Sequence, residues 1–190
     1  MRLFVAFEMP SEVRQALDEH TRAVRSQLPK ARWVRPDTIH LTLAFLGETD
    51  PTNLPALHRE LGAAFASFAP MRLRVEALGA FPPRGKRRVV WAGIGTEGQL
   101  VDLQARVAAA VEEALGDAAP EVDRLRFHPH LTLARCKPGW PAGAVERLTA
   151  VVGEPAIVPF TVEHGSLVAS ELRPEGPRYR TIETYPLRSV

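Results

Sequence analysis

The string His-Leu-Thr-Leu-Ala occurs twice, at residues 40–44 and again at residues 130–134, nearly half of the 190-residue chain apart. Five identical residues at comparable places in the two halves point to an internal duplication: two related lobes, each built around one copy. The surrounding pattern agrees. RLFVAFEM at the start reads as a buried strand ended by Pro10. A helix follows from about Ser11 to Gln27, with Ser11 as its cap and Pro29 as its stop. TIHLTLAFLG is a second strand closed by Gly47, residues 53–68 are helical, and MRLRVEAL alternates into a third strand. From about Gly79 the text GAFPPRGKRR reads as a basic loop, then VVWAGIG as a fourth strand and residues 98–115 as an amphipathic helix. HLTLARC is the next strand and residues 144–152 suit a short helix. AIVPFTVE, GSLVASEL and YRTIETYPL read as the closing strands. Each motif strand is therefore preceded and followed by a helix. The expected fold is α+β: one bilobal, duplicated domain over residues 1–190, with two antiparallel sheets lining a central cleft and helices outside.

Side chains alternate along a strand, which puts His40, Thr42 and Ala44 on one face and Leu41, Leu43 and Phe45 on the other. The second copy repeats this with His130, Thr132 and Ala134. If an approximate two-fold axis relates the lobes, two imidazoles and two hydroxyls meet one ligand across the cleft. Two opposed histidines suit in-line displacement at phosphorus, where a base serves the entering oxygen and an acid the leaving one. The threonines would hold the non-bridging oxygens, and no metal or cofactor is needed. A metal chelate of His128, His130 and His40 is the competing reading, but no repeated carboxylate or thiol accompanies the motif, and threonine is a poor ligand. His20, His58 and His164 lack repeated surroundings and read as surface residues.

The rest bounds the setting. The single cysteine, Cys136, allows no internal disulfide. No leader opens the sequence at Met1, and no apolar run approaches membrane-spanning length. A cytoplasmic monomer without membrane association is expected, and a net charge of +2 is only a mild bias toward anionic partners.

With both motifs in hand, the chain resembles the two-histidine (2H) phosphoesterase superfamily, marked by two His-x-Thr-x motifs. Within it the chain is similar to the bacterial and archaeal RNA 2',3'-cyclic phosphodiesterases, also described as 2'-5' RNA ligases. The likeness runs through RLFVAFEMP, WVRPDTIHLTLAFLG, FPPRGKRRVVWAGI, HPHLTLAR and VASELRPEGPRYRTIETYPL. It implies RNA ends bearing a 2',3'-cyclic phosphate as substrate, hydrolysed without metal to a 2'-phosphomonoester, with His40 as general acid and His130 as general base. The motifs themselves are too symmetric to fix which histidine is acid and which base, and a ligase would use the same groups with a 5'-hydroxyl replacing water. An RNA-end-binding module and a small cyclic-nucleotide hydrolase stay open beside it. For the RNA end, the basic cluster Arg84, Lys86 and Arg87 offers phosphate contacts and Phe127 a stacking surface. Arg135 belongs to the family-like string, yet by strand parity it points away from His130 unless the strand bends. Tyr179 follows from the C-terminal similarity.

Overall fold

The structure, a computed structural model, describes residues 1–25, 31–81, 89–96, 99–120, 127–136, 157–174 and 176–188. Within these, nine strands and three helices follow the order the hydrophobic periodicity predicts, with one addition. The strands are β1 (Arg2–Glu8), β2 (Ala31–Trp33), β3 (His40–Glu48), β4 (Met71–Phe81), β5 (Val89–Thr96), β6 (His130–Cys136), β7 (Phe160–Val162), β8 (His164–Arg173) and β9 (Gly176–Pro186). The helices are α1 (Ser11–Arg25), α2 (Leu54–Ala66) and α3 (Gln99–Leu115). β2 is the addition. Its three residues are too short to leave a period, and it exists through its pairing with the end of β6. β4 also outruns its sequence boundary: Gly79, Ala80 and Phe81, expected in a loop, pair with Trp91, Val90 and Val89. Cross-strand pairing there overrides the weak strand preference of glycine. The short helix expected at 144–152 lies outside the described residues.

All pairings are antiparallel, and the strands join in one curled sheet with the order β7-β4-β5-β6-β3-β1-β8-β9, β2 pairing with β6 off this path. The sequence led to two separate sheets. They are one because Leu41 of β3 pairs with Leu131 of β6 and closes the gap between two four-strand halves. Beyond that pair the two motif strands part company, and β2 takes over the open edge of β6.

One face of the sheet is the core face. Leu3, Val5 and Phe7 of β1 lie with Leu41, Leu43, Leu131 and Leu133 against Val13 and Leu17 of α1, Leu57, Leu61 and Phe65 of α2, and Leu100, Leu103 and Val107 of α3. The helix periodicities that identify α1 to α3 are thus the imprint of this single core. On the opposite face Phe4, Ala6 and Val168 form a small apolar floor with Tyr179 packed on it. Among the described residues no helix is long and apolar enough to cross a membrane.

Candidate active site

Both motif strands carry the same irregularity. Between β1 and β3 the register steps from Ala6↔Thr42 to Val5↔Ala44. Between β5 and β6 it steps from Trp91↔Thr132 to Val90↔Ala134. Each motif therefore holds one extra residue, Leu43 or Leu133, as a β-bulge. The extra carbonyls are not left bare: Gln104 Nε2 of α3 donates to Leu43 O at 3.3 Å, and the Val34 amide donates to Leu133 O at 2.8 Å. A bulge reverses the alternation beyond it. His40 and Thr42 keep the face that parity assigns them, but past the bulge Ala44 is buried and Phe45 turns out, 63% exposed. Parity had placed Phe45 among the buried leucines. In the second copy the same step buries Ala134 and exposes Arg135, so the bend that Arg135 needed is present.

The Leu41–Leu131 pair fixes how the two motifs meet. His40 and Thr42 flank that pair on β3, and His130 and Thr132 flank it on β6. All four share the face opposite the leucines.

Each ring is held in the same way. His40 Nδ1 lies 2.8 Å from Thr38 O, and His130 Nδ1 lies 2.7 Å from His128 O. A carbonyl can only accept, so Nδ1 carries the hydrogen in both, and Nε2 is the nitrogen free to give or take a proton. The walls are aromatic. The His40 ring lies 4.7 Å from Phe4 and 5.2 Å, edge-on, from Tyr179. The His130 ring lies 5.1 Å, edge-on, from Phe81 and 6.3 Å from Trp91, which in turn covers His128 at 4.6 Å. Trp91 can lie there because its partner in β4 is Gly79, where a Cβ would collide with the indole.

Burial in these surroundings is the largest influence on both rings and pulls both below the ordinary histidine value. For His40 the hydrogen bond to Thr38 and the Glu8 carboxylate act upward, while His130 and Arg135 act downward. For His130 the hydrogen bond to His128 acts upward, and the charges of His128 and Arg135 act downward. Arg135 therefore sits within electrostatic reach of both imidazoles. Burial also pushes the Tyr179 hydroxyl up, against the opposing charges of Arg135 and Arg2.

Of the residues singled out in the sequence, His40, Thr42, His130, Thr132, Arg135 and Tyr179 are brought to one side of the sheet. Phe127 is half-buried and packs against the main core. Arg84, Lys86 and Arg87 lie outside the described residues. Among those described, no group of three or more His, Cys, Asp or Glu is arranged to hold a metal ion. The sequence reading missed Phe4, Glu8, Phe45 and Trp91. Glu8 and Phe4 alternate with Ala6 on the side of β1 facing the site, a signal that was present but indistinct in a strand buried on both faces.

Comparison with known proteins accounts for this arrangement. Residues 9–173 match the family described as the 2'-5' RNA ligase superfamily. A Thermus thermophilus protein named RNA 2',3'-cyclic phosphodiesterase is 42% identical over 99% of this chain and 91% of its own length. An Archaeoglobus fulgidus protein of the same name is 31% identical over 97% of this chain and 99% of its own. The crystal structure of TT0787 from Thermus thermophilus superposes with a TM-score of 0.82 at 40% identity, covering 99% of this chain and 98% of that one. A duplicated His-x-Thr motif, a match across most of the chain and relatives alike from end to end agree on one conclusion: the chain belongs to the 2'-5' RNA ligase superfamily, the 2H phosphoesterases.

Proposed function

We propose that the protein hydrolyses RNA 2',3'-cyclic phosphate ends to 2'-phosphomonoesters, without metal, by acid and base catalysis from its two motif histidines. The observation that carries this reading is the matched pair of tautomers: both rings are pinned at Nδ1 by the carbonyl two residues upstream, leaving two Nε2 atoms from two equivalent strands. The names of the Thermus and Archaeoglobus relatives supply the reaction class.

In this reading the two halves of the sheet are lobes flanking a cleft in which the phosphate sits. His130 Nε2 takes the proton of a water whose oxygen attacks phosphorus. The P–O3' bond breaks in line, and His40 Nε2–H protonates the departing O3', giving a free 3'-hydroxyl and a 2'-phosphate. His130 leaves the step protonated and His40 neutral, and exchange with water restores both. Thr42 and Thr132 donate to the non-bridging oxygens, and Arg135 faces the charge gathering there. Exposed Phe45, whose ring lies 6.3 Å from that of Phe4, offers a stacking surface for a terminal base. Arg84, Lys86 and Arg87 would meet phosphates upstream, Tyr179 lines the acid side, and Phe127 serves as a further stacking residue. The family's description favours one second reading: with a 5'-hydroxyl in place of water as the nucleophile, the same groups in the same roles would join RNA ends through a 2'-5' linkage.

The test is incubation of chelator-stripped protein with an oligonucleotide ending in 2',3'-cyclic phosphate, followed by identification of the terminal isomer. A 2'-phosphate product is expected. A 3'-phosphate, or activity that returns only with an added divalent ion, would refute the scheme.

A further inference from the structure

A duplicated pair of histidines has no inherent direction, yet hydrolysis needs one ring protonated and the other neutral at the start. The neighbouring strands break the tie. β1 and β5 hold matching places beside β3 and β6 and share the same bulge, but the residue opposite His40 is Glu8, whereas the residue opposite His130 is Gly93. Directly opposed side chains in an antiparallel ladder share a face, so His40 has a carboxylate beside it where His130 has no side chain at all. Glu8 lines the same depression as His40, together with Arg14, Asp37, Tyr179 and Thr181. Its Oε1 accepts a hydrogen bond from the Thr181 hydroxyl at 2.9 Å, which holds the carboxylate on that side of the strand.

The other charged and titratable groups around the two rings make the contrast sharper. His40 is met by Glu8 from β1, by Tyr179 from β9, by His130 and Arg135 from β6, and by Arg14 and Asp37 at the rim of the depression. Of the charges that act on it, Glu8 favours its imidazolium, and His130 and Arg135 oppose it. The charges that act on His130, from His128 and Arg135, both oppose its imidazolium, and the rings that face it from β4 and β5, Phe81 and Trp91, carry none.

Resting on the function proposed above, we infer that Glu8 is the positioning residue that makes His40, and not His130, the proton donor. It acts through the imidazole and need not touch the substrate. The motifs are interchangeable, and the carboxylate on β1 gives the pair its polarity.

The experiment is a nuclear magnetic resonance titration of both rings in the ligand-free protein and in Glu8→Gln, which keeps the shape and the hydrogen bond from Thr181 but removes the charge. The titration midpoint of His40 should fall in the variant while that of His130 stays. In the pH profile of kcat/KM the basic limb should move to lower pH with the acidic limb in place, costing about tenfold above the optimum for each unit of movement. An unmoved His40, equal movement of both rings, or displacement of the acidic limb instead would overturn the inference. Should Glu8→Gln not fold, Glu8→Ala removes the same charge with less bulk and must lower His40 alone, and no change in that variant would equally overturn it. The titration is read without substrate, so a protein inactive on cyclic phosphate would defeat the proposed function while the ring midpoints still decide the role of Glu8.

Discussion

Leu41 and Leu131 face each other across the pair that joins the two halves of the sheet, and they are the same residue of the same five-residue motif. An antiparallel pairing of a residue with its own duplicate is what a local two-fold axis produces. The matched bulges at Leu43 and Leu133 and the matched ring hydrogen bonds of His40 and His130 extend that relation outward from the axis. In the proposed mechanism both copies then serve one site, one from either side of that axis.

The threonines test the division of labour. Thr42→Val and Thr132→Val should each cost about 1–3 kcal/mol of transition-state stabilisation, the loss of a hydrogen bond to a charged oxygen. The effect should appear in kcat more than in KM, with unfolding midpoints nearly unchanged. A loss confined to KM would make the hydroxyls ground-state binding groups.

Arg135 tests the bulge. Its charge holds both imidazoles down, so Arg135→Ala should raise the titration midpoints of His40 and His130 together and weaken binding of inorganic phosphate. If the strand continued without the bulge, Arg135 would point to the core face and neither observable would move.

These two residue types show where the sequence was readable. His40, Thr42, His130 and Thr132 lie before the bulge, where alternation alone assigns their face, and the repeat marks them as a set. Phe45 and Arg135 lie after it, and no sequence period announces the inserted residue, because leucine, alanine and the following side chain all suit a strand. The curled sheet has the same cause: one Leu–Leu pairing decides between one sheet and two, and a single pairing leaves no pattern. β2 and the last three residues of β4 are set by their partners, not by their own composition.

Gly79 tests the aromatic wall. A methyl group there meets the Trp91 indole, so Gly79→Ala should lower stability by about 1–3 kcal/mol through overpacking and reduce turnover by displacing the ring that lies against His128 and His130. Wild-type stability with an undisturbed Trp91 near-ultraviolet signal would show that the strand has room.

The pH profile tests the environment of the pair. The base must be neutral, so the rate falls as pH drops through its value. The acid must be protonated, so the rate falls as pH rises through its own. Both rings are pulled down by burial. The bell in kcat/KM should therefore have both limbs on the acid side of the free imidazole value of about 6.5, reported as values of the coupled pair. Limbs above about 8 would mean that groups other than the two imidazoles control the rate.

The most direct measurement compares His40→Ala and His130→Ala on two substrates: the natural cyclic phosphate, and one whose leaving group needs no proton. On the cyclic phosphate each variant should lose about 10²-fold or more in turnover while remaining folded, since neither ring belongs to the leucine-lined core. On the activated substrate His40→Ala should recover most of its rate and His130→Ala should not. Equal recovery, or recovery of His130→Ala alone, would contradict the assignment of acid and base, and near-normal rates of both variants on the cyclic phosphate would contradict the two-histidine mechanism itself.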